Sequence, residues 1–327
     1  MKRFAMKPSV IVGAMLLGSV AAANAQMTLY GVVDMSYGKS IADDQTNLKA
    51  DFHSGGDAGS GEGNSTTRVG LKGTTDVGSG VKMNFKFETG GITSAGEVNP
   101  GGAFFNRQAW LGMSGGFGEV RLGRQDSVPF QTMIGYDFNG ASNGVSSLGY
   151  TGVGPWARGR QSRSLQYILP TLVAGLSAQF GLVPKGNGAV GTKDVLSGGA
   201  KYETGPLSGA VAFQTKGTST GKDFVSIGGT WDFKIVKVMA GYADGGKVSA
   251  GGSGSGPSVG VQTTLAGITF GGLYSQNTDT AAKSKAAEVF VNKEIFKNTY
   301  AYVEAGQLKP SGAASAKGYA GGIIFVF

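Results

Sequence analysis

Apolar and polar residues alternate with a period of two along most of this chain, the signature of extended strands whose side chains point to opposite faces. The last eleven residues, Lys317 to Phe327, carry it plainly: counting back from Phe327 in twos gives Phe325, Ile323, Gly321 and Tyr319. One face of that strand is therefore aromatic at both ends and apolar in the middle. Val81, Met83, Phe85 and Phe87 alternate in the same way with Lys82, Asn84, Lys86 and Glu88, and Met27 to Tyr37 sets Leu29, Val33 and Met35 against Thr28, Asp34 and Ser36. About ten residues is the length of a tilted strand that crosses a bilayer, and aromatics near both interfaces match the girdles of such strands. A half-buried strand of a soluble sheet would look the same, so the weight lies in the recurrence of the unit.

Alternation together with Gly and Pro punctuation predicts sixteen strands. They fall at 27–37, 65–75, 80–90, 104–114, 119–125, 160–169, 171–183, 194–204, 206–216, 222–232, 234–244, 256–264, 266–276, 283–293, 297–307 and 317–327. Tight turns, such as Asp76-Val77-Gly78-Ser79, Gly115-Gly116-Phe117-Gly118 and Gly205-Pro206, take turns with longer polar connections. An even strand count with the long loops on one side predicts an all-β fold, a transmembrane antiparallel β-barrel. Gly55 to Gly63 superficially resembles a phosphate loop but lacks the Gly-Lys-Ser/Thr ending and a following helix. The longest connection, Asp126 to Gly159, holds Phe130, Tyr136, Phe138, Tyr150 and Trp156. A connection of that length is usually functional, and its aromatics need something to pack on.

Composition narrows the class. The 327 residues include 59 Gly, no Cys and one His, which excludes a disulfide framework and a thiolate metal site. Residues 1–25 read as a secretory signal, with Lys2, Arg3 and Lys7 before an apolar core and Ala23-Asn24-Ala25 as the cleavage site. Residues 26–327 then form one domain. Beyond Ala25 no apolar run approaches a helical span, so a chain embedded in outer-membrane lipid has to be a closed barrel. Without the three basic leader residues, 26 positive charges face 21 negative ones, a net +5. The basic residues are spread one or two per segment with no recognition helix, which argues against a nucleic-acid partner. The lone His53 sits in a loop with no nucleophile beside it, so no enzyme is expected. No cofactor and no metal site is expected either.

Four segments resemble a known family: Thr28-Leu29-Tyr30-Gly31-Val32-Val33-Asp34, Phe105-Asn106-Arg107-Gln108-Ala109-Trp110-Leu111-Gly112, Val120-Arg121-Leu122-Gly123-Arg124-Gln125 and the terminal Phe327. They are similar to the general porins of β-proteobacteria, the group of Neisseria, Bordetella and Comamonas type. The resemblance implies a homotrimer of sixteen-stranded barrels that passes small ions and hydrophilic solutes. It also implies a third loop, here Asp126 to Gly159, folded into the lumen to form a constriction. The arginine cluster of anion-preferring members maps onto Arg68, Arg107 and Arg163, with Glu88 as an acidic neighbour. Arg158 and Arg160 lie close to Arg163, and this segment departs from the family's Asn-Ser-x-x-Tyr pattern. Asp126 and Asp137 would offset the repulsion among the arginines at the constriction. Lys72, Lys82, Lys86, Arg121 and Arg124 are expected to line the lumen. Mild anion preference follows, because low-dielectric walls focus the field of lumen charges. A substrate-specific channel stands as the alternative.

Overall fold

The computed structural model describes residues 26–57, 61–155, 159–186, 192–218, 222–245, 254–279 and 283–327. The leader assignment for residues 1–25, Trp156 and Arg158 lie outside the described residues. The strands are β1 Gln26–Lys39, β2 Asp51–Ser54, β3 Arg68–Gly78, β4 Val81–Gly90, β5 Gln108–Gly115, β6 Gly118–Asp126, β7 Arg160–Ile168, β8 Leu176–Val183 and β9 Val195–Thr204. They continue as β10 Leu207–Gln214, β11 Phe224–Asp232, β12 Lys237–Asp244, β13 Ser255–Leu265, β14 Ile268–Asn277, β15 Ser284–Phe296, β16 Thr299–Pro310 and β17 Ala316–Val326.

All of them belong to one antiparallel sheet that closes on itself. From β3 to β17 each strand pairs with the next, and β17 returns to β1 through Val32↔Val326 to Lys39↔Tyr319. The other half of β1 pairs with β3, Gln26↔Thr74 to Val32↔Arg68. Sixteen long strands make the ring. The short β2 adds beside the upper half of β1, Met35↔Ser54 to Gly38↔Asp51. Closure satisfies every backbone group without a free edge, which is what a strand in lipid requires.

The two faces invert the arrangement of a soluble protein. Leu29, Leu111, Leu122, Val211, Val289 and Val303 point outward, each at least 50% exposed, while Asp34, Ser36, Glu88, Gln166, Ser226 and Ser275 are buried on the inner face. A continuous exposed apolar belt of this kind is unsuited to water and suited to hydrocarbon. Among the described residues no helix is long and apolar enough to cross a membrane.

Most strand limits fall within a few residues of the expected ones, and the exceptions have local causes. Strand β5 starts at Gln108, not at 104, because the Asn106 side chain takes the place of a ladder partner. It donates to the Gly90 carbonyl at 2.8 Å and accepts from the Gly90 amide at 2.9 Å. Strand β8 starts at Leu176, not at 171: Pro170 has no amide to donate, and the chain turns through Gly175 at φ +80°. Ala266 and Gly267 both take positive φ, the mirror-image turn whose twist matches flanking strands.

Among the described residues three short α-helices interrupt the long connections: α1 Ile41–Gln45, α2 Val128–Met133 and α3 Ser147–Thr151. Ser40 caps α1 reciprocally with Asp43, and Ser127 caps α2 by accepting from the Phe130 amide. The connection carrying α2 and α3 leaves from β6 and returns on β7, yet it packs against the buried face of strands β8 to β16. Met133, Tyr136, Leu148 and Val153 join Ala210, Ala212, Met239, Leu273 and Phe290 in one apolar cluster. Glycines on that face make the room. A Cβ at Gly228 would stand 2.9 Å from the Tyr136 ring, and one at Gly306 would stand 2.6 Å from the Val145 carbonyl oxygen.

Candidate functional site

The inner face of strands β1 and β3 to β7 carries a graded set of charges, placed by register. Across the sheet Tyr30 stands opposite Gly70, Gly70 opposite Glu88, and Glu88 opposite Gln108. The next inward row runs from Thr28 through Lys72 and Lys86 to Trp110. Because Gly70 has no side chain, the Tyr30 ring lies over it and its hydroxyl donates to Glu88 Oε2 at 2.7 Å. Lys72 and Lys86 bring their ammonium groups to 5.3 and 5.4 Å from the same ring, within cation–π range.

Glu88 organises the basic residues above this row. Arg107 Nε donates to Glu88 Oε1 at 2.5 Å, and Lys86 Nζ lies 3.5 Å from Oε2. Arg160 Nε is 3.2 Å from Asp126 Oδ1. Arg124 is fixed by the Asn106 carbonyl at 2.5 Å and by Ser162 Oγ at 2.6 Å, and Arg68 by the Thr66 carbonyl at 2.9 Å. Arg160 is within electrostatic range of Arg107, Arg124, Asp126 and Glu88, and Arg68 within range of Arg107, Glu88 and Asp126. A cavity of about 580 Å³ opens among Arg107, Arg124, Arg160, Asn106 and Ser162. Preset by carbonyls and carboxylates, these guanidinium groups cannot collapse onto one another, and they stay charged at any working pH.

Not every expected residue belongs to this group. Arg68, Glu88, Arg107, Asp126 and Arg160 come together, with Lys72, Lys86 and Arg124 beside them. Arg163 does not: it is exposed at φ +55°, followed by the outward Leu165 and Tyr167. The ladder between β6 and β7 slips at Gly123/Gln125, and this irregularity sets Arg160 rather than Arg163 among the inward groups. Arg121 lies further along the wall, bonded to Glu119 at 2.7 Å and stacked 4.5 Å from the Trp110 ring. Lys82 stands exposed opposite Asp76 and Ser114.

Asp137 sits in a second cluster, which the sequence reading missed. Asn139 donates to Glu288 Oε2 and to Glu304 Oε2, both at 3.0 Å. Ser147 donates to Glu288 Oε1 from both its amide and its hydroxyl at 2.9 Å. Asn64, from the first long loop, donates to Glu304 Oε2 at 2.7 Å and to Asn139 Oδ1 at 2.9 Å. Burial and the neighbouring Glu288 push the Asp137 carboxyl well above the usual carboxylate range. On β1, Asp34 accepts from the Asn64 and Ser65 amides at 2.8 and 2.6 Å and from the Tyr302 hydroxyl at 2.8 Å. Single acids on the inward parity of β15 and β16 were the available signal: Glu288 beside Val289, and Glu304 beside Val303.

A closed sixteen-stranded ring with an apolar outside, a polar inside and a basic wall defines a membrane-spanning barrel of the channel type. Residues 10–313 match the Gram-negative porin family. Outer membrane porin protein 32 of Delftia acidovorans is 32% identical over 261 residues, 71% of this chain and 68% of that protein. An outer membrane porin of Bordetella pertussis is 28% identical over 269 residues, 73% and 69% of the two chains. Among solved structures, the anion-selective porin from Comamonas acidovorans superposes with a TM-score of 0.72 at 21% identity, covering 93% of this chain and 100% of that one. The chain belongs to the Gram-negative porin family, and it is a β-barrel protein of the outer membrane.

Proposed function

We propose that the protein is a passive diffusion channel for small hydrophilic solutes and ions, and that its basic wall gives it a mild preference for anions. The observation that carries this is the charge count on one wall. On this wall Arg68, Lys72, Lys86, Arg107, Arg124 and Arg160 stand with Glu88 and Asp126, and the Arg121–Glu119 pair is neutral, so six positive charges against two negative leave +4. In this reading the connection 126–159 narrows the lumen opposite that wall. Its buried contacts with β8 to β16 support such a placement.

At a separation of about 8 Å each unit charge is worth about 0.5 kcal/mol in water, and screening at physiological salt leaves about 0.2. Four net charges then favour an anion and disfavour a cation by about 0.8 kcal/mol each, roughly fifteenfold between them. The carboxylates of β1, β15 and β16 reduce that figure, hence a mild preference. Anions would be attracted but not trapped, because the guanidinium groups already hold carbonyl or carboxylate partners.

The homotrimer implied by the family resemblance is part of the same proposal. The test is a pair of variants, Arg107→Gln with Arg160→Gln, in planar bilayers. The double variant should lose roughly fourfold in chloride-to-potassium permeability ratio, since each charge is worth about twofold. An unchanged ratio would overturn the assignment. Flux that saturates with one solute would favour the substrate-specific alternative.

A further inference from the structure

We propose that Asp43, His53 and Glu62 form a site for a first-row divalent transition-metal cation on the long-loop side of the barrel. One ligand atom from each residue lies within 4.8 Å of the other two, and this is the only such group among the described residues. It is more than an acidic patch. Asp43 and Glu62 are 8% and 3% exposed, and the chain's one imidazole joins them with a buried Nε2 that has no hydrogen-bond partner. A buried nitrogen left without a partner is destabilising, and a bound cation removes that cost. No described ion pair of a Lys or Arg includes either carboxylate, and Lys39 acts on Asp43 only at electrostatic range. The nearest such pair, Lys39 with Asp44, turns to the next residue of α1.

The three ligands stand on separate, well-held elements. Asp43 is the third residue of α1, and its Oδ2 accepts from the Ser40 amide at 2.9 Å. His53 is on β2, paired opposite Ser36 of β1. Glu62 precedes Gly63, whose carbonyl accepts from the Gly144 amide at 2.9 Å, while the Gly144 carbonyl accepts from the Ile41 amide at 2.9 Å. Metal bonds of about 2.0–2.2 Å in tetrahedral geometry set ligand atoms about 3.4 Å apart, so side-chain movements of up to about 1 Å close the site.

Donor chemistry selects the ion. Calcium and magnesium take oxygen ligands, whereas an imidazole nitrogen with two carboxylates suits zinc, cobalt or nickel, with a position left for water. The ion would tie α1, β2 and the first long loop together beside Gly144 of the 126–159 connection. This inference stands independently of the anion-channel reading.

The experiment titrates the untagged, folded barrel in detergent with Zn2+ by calorimetry and with Co2+ by visible absorption. The expected result is one ion per chain, with at least tenfold weaker binding in both His53→Ala and Glu62→Gln and little competition from excess Ca2+. Metal-free single-channel conductance of His53→Ala should equal that of the unaltered protein, which shows that the variant is folded. Absence of binding at millimolar Zn2+, binding by either variant as tight as that of the unaltered protein, or displacement by equimolar Ca2+ would each overturn the proposal.

Discussion

Replacing Asn139 by Ala removes the amide that bridges the two buried carboxylates of β15 and β16. The side chain donates to Glu288 and to Glu304 at 3.0 Å each and accepts from Asn64 at 2.9 Å. A hydrogen bond to a charged group contributes about 1.5–3 kcal/mol, so the two donated bonds set an upper bound of about 3–6 kcal/mol on the loss. The apolar cluster around Met133 and Tyr136 is untouched by the change. The connection should therefore stay folded but release its 137–147 portion far more often. Each 1.4 kcal/mol lost raises the released population about tenfold. Single-channel recording is the direct assay, with frequent brief conductance steps and excess open-channel noise expected for Asn139→Ala. A second variant separates loss of the bridge from disturbance of the acids. Glu304→Gln keeps an acceptor for Asn64 and Asn139 and removes one buried charge, so it should be as quiet as the parent. Asn139→Ala recordings indistinguishable from the parent would refute the claim that this bridge anchors the connection.

Further outcomes follow from the same contacts. Asp137, raised by burial and by Glu288, and Glu62, raised to about 7 by burial and by Asp43, both bind protons more tightly in the held loops than in free ones. Raising the pH from about 4 through that raised range therefore weakens the held arrangement, and channel noise should increase between pH 5 and 9 and level off above that window. Gly306→Val puts a Cβ 2.6 Å from the Val145 carbonyl oxygen; overpacking of this kind costs about 1–3 kcal/mol, which a lower midpoint of thermal unfolding should register. Replacing both partners, Arg121→Gln with Glu119→Gln, removes a pair that is already neutral and should leave ion preference unchanged in reversal-potential measurements.

The barrel was legible because lipid and lumen impose opposite demands on successive residues. Phe87 and Glu88 are neighbours in sequence and end on opposite faces, one 37% exposed and the other 4%. Aromatic Tyr30 on the polar parity of β1 was visible too, but its meaning depended on Gly70 opposite, which only register supplies. What alternation cannot show is where a ladder slips or ends. Asn106 replaces a backbone partner with its side chain, and the irregularity at Gly123/Gln125 exchanges Arg163 for Arg160; both are local events without a periodic signal. Asp43, His53 and Glu62 were unreadable for a different reason. Ten and nine residues separate them in order, and a helix turn plus the pairing of β2 with β1 brings them together. Asp137 carried the clearest ambiguity: an acid in the third long loop can face the arginines or the far wall, and packing against Glu288 decides it.

The central claim is that the basic wall outweighs the carboxylates in setting ion preference. Its most direct test is the zero-current potential of the purified protein in a planar bilayer under a KCl gradient, at low and at high mean salt. The account predicts a sign showing chloride preference that shrinks as screening increases; potassium preference, or a chloride preference indifferent to salt, would contradict it.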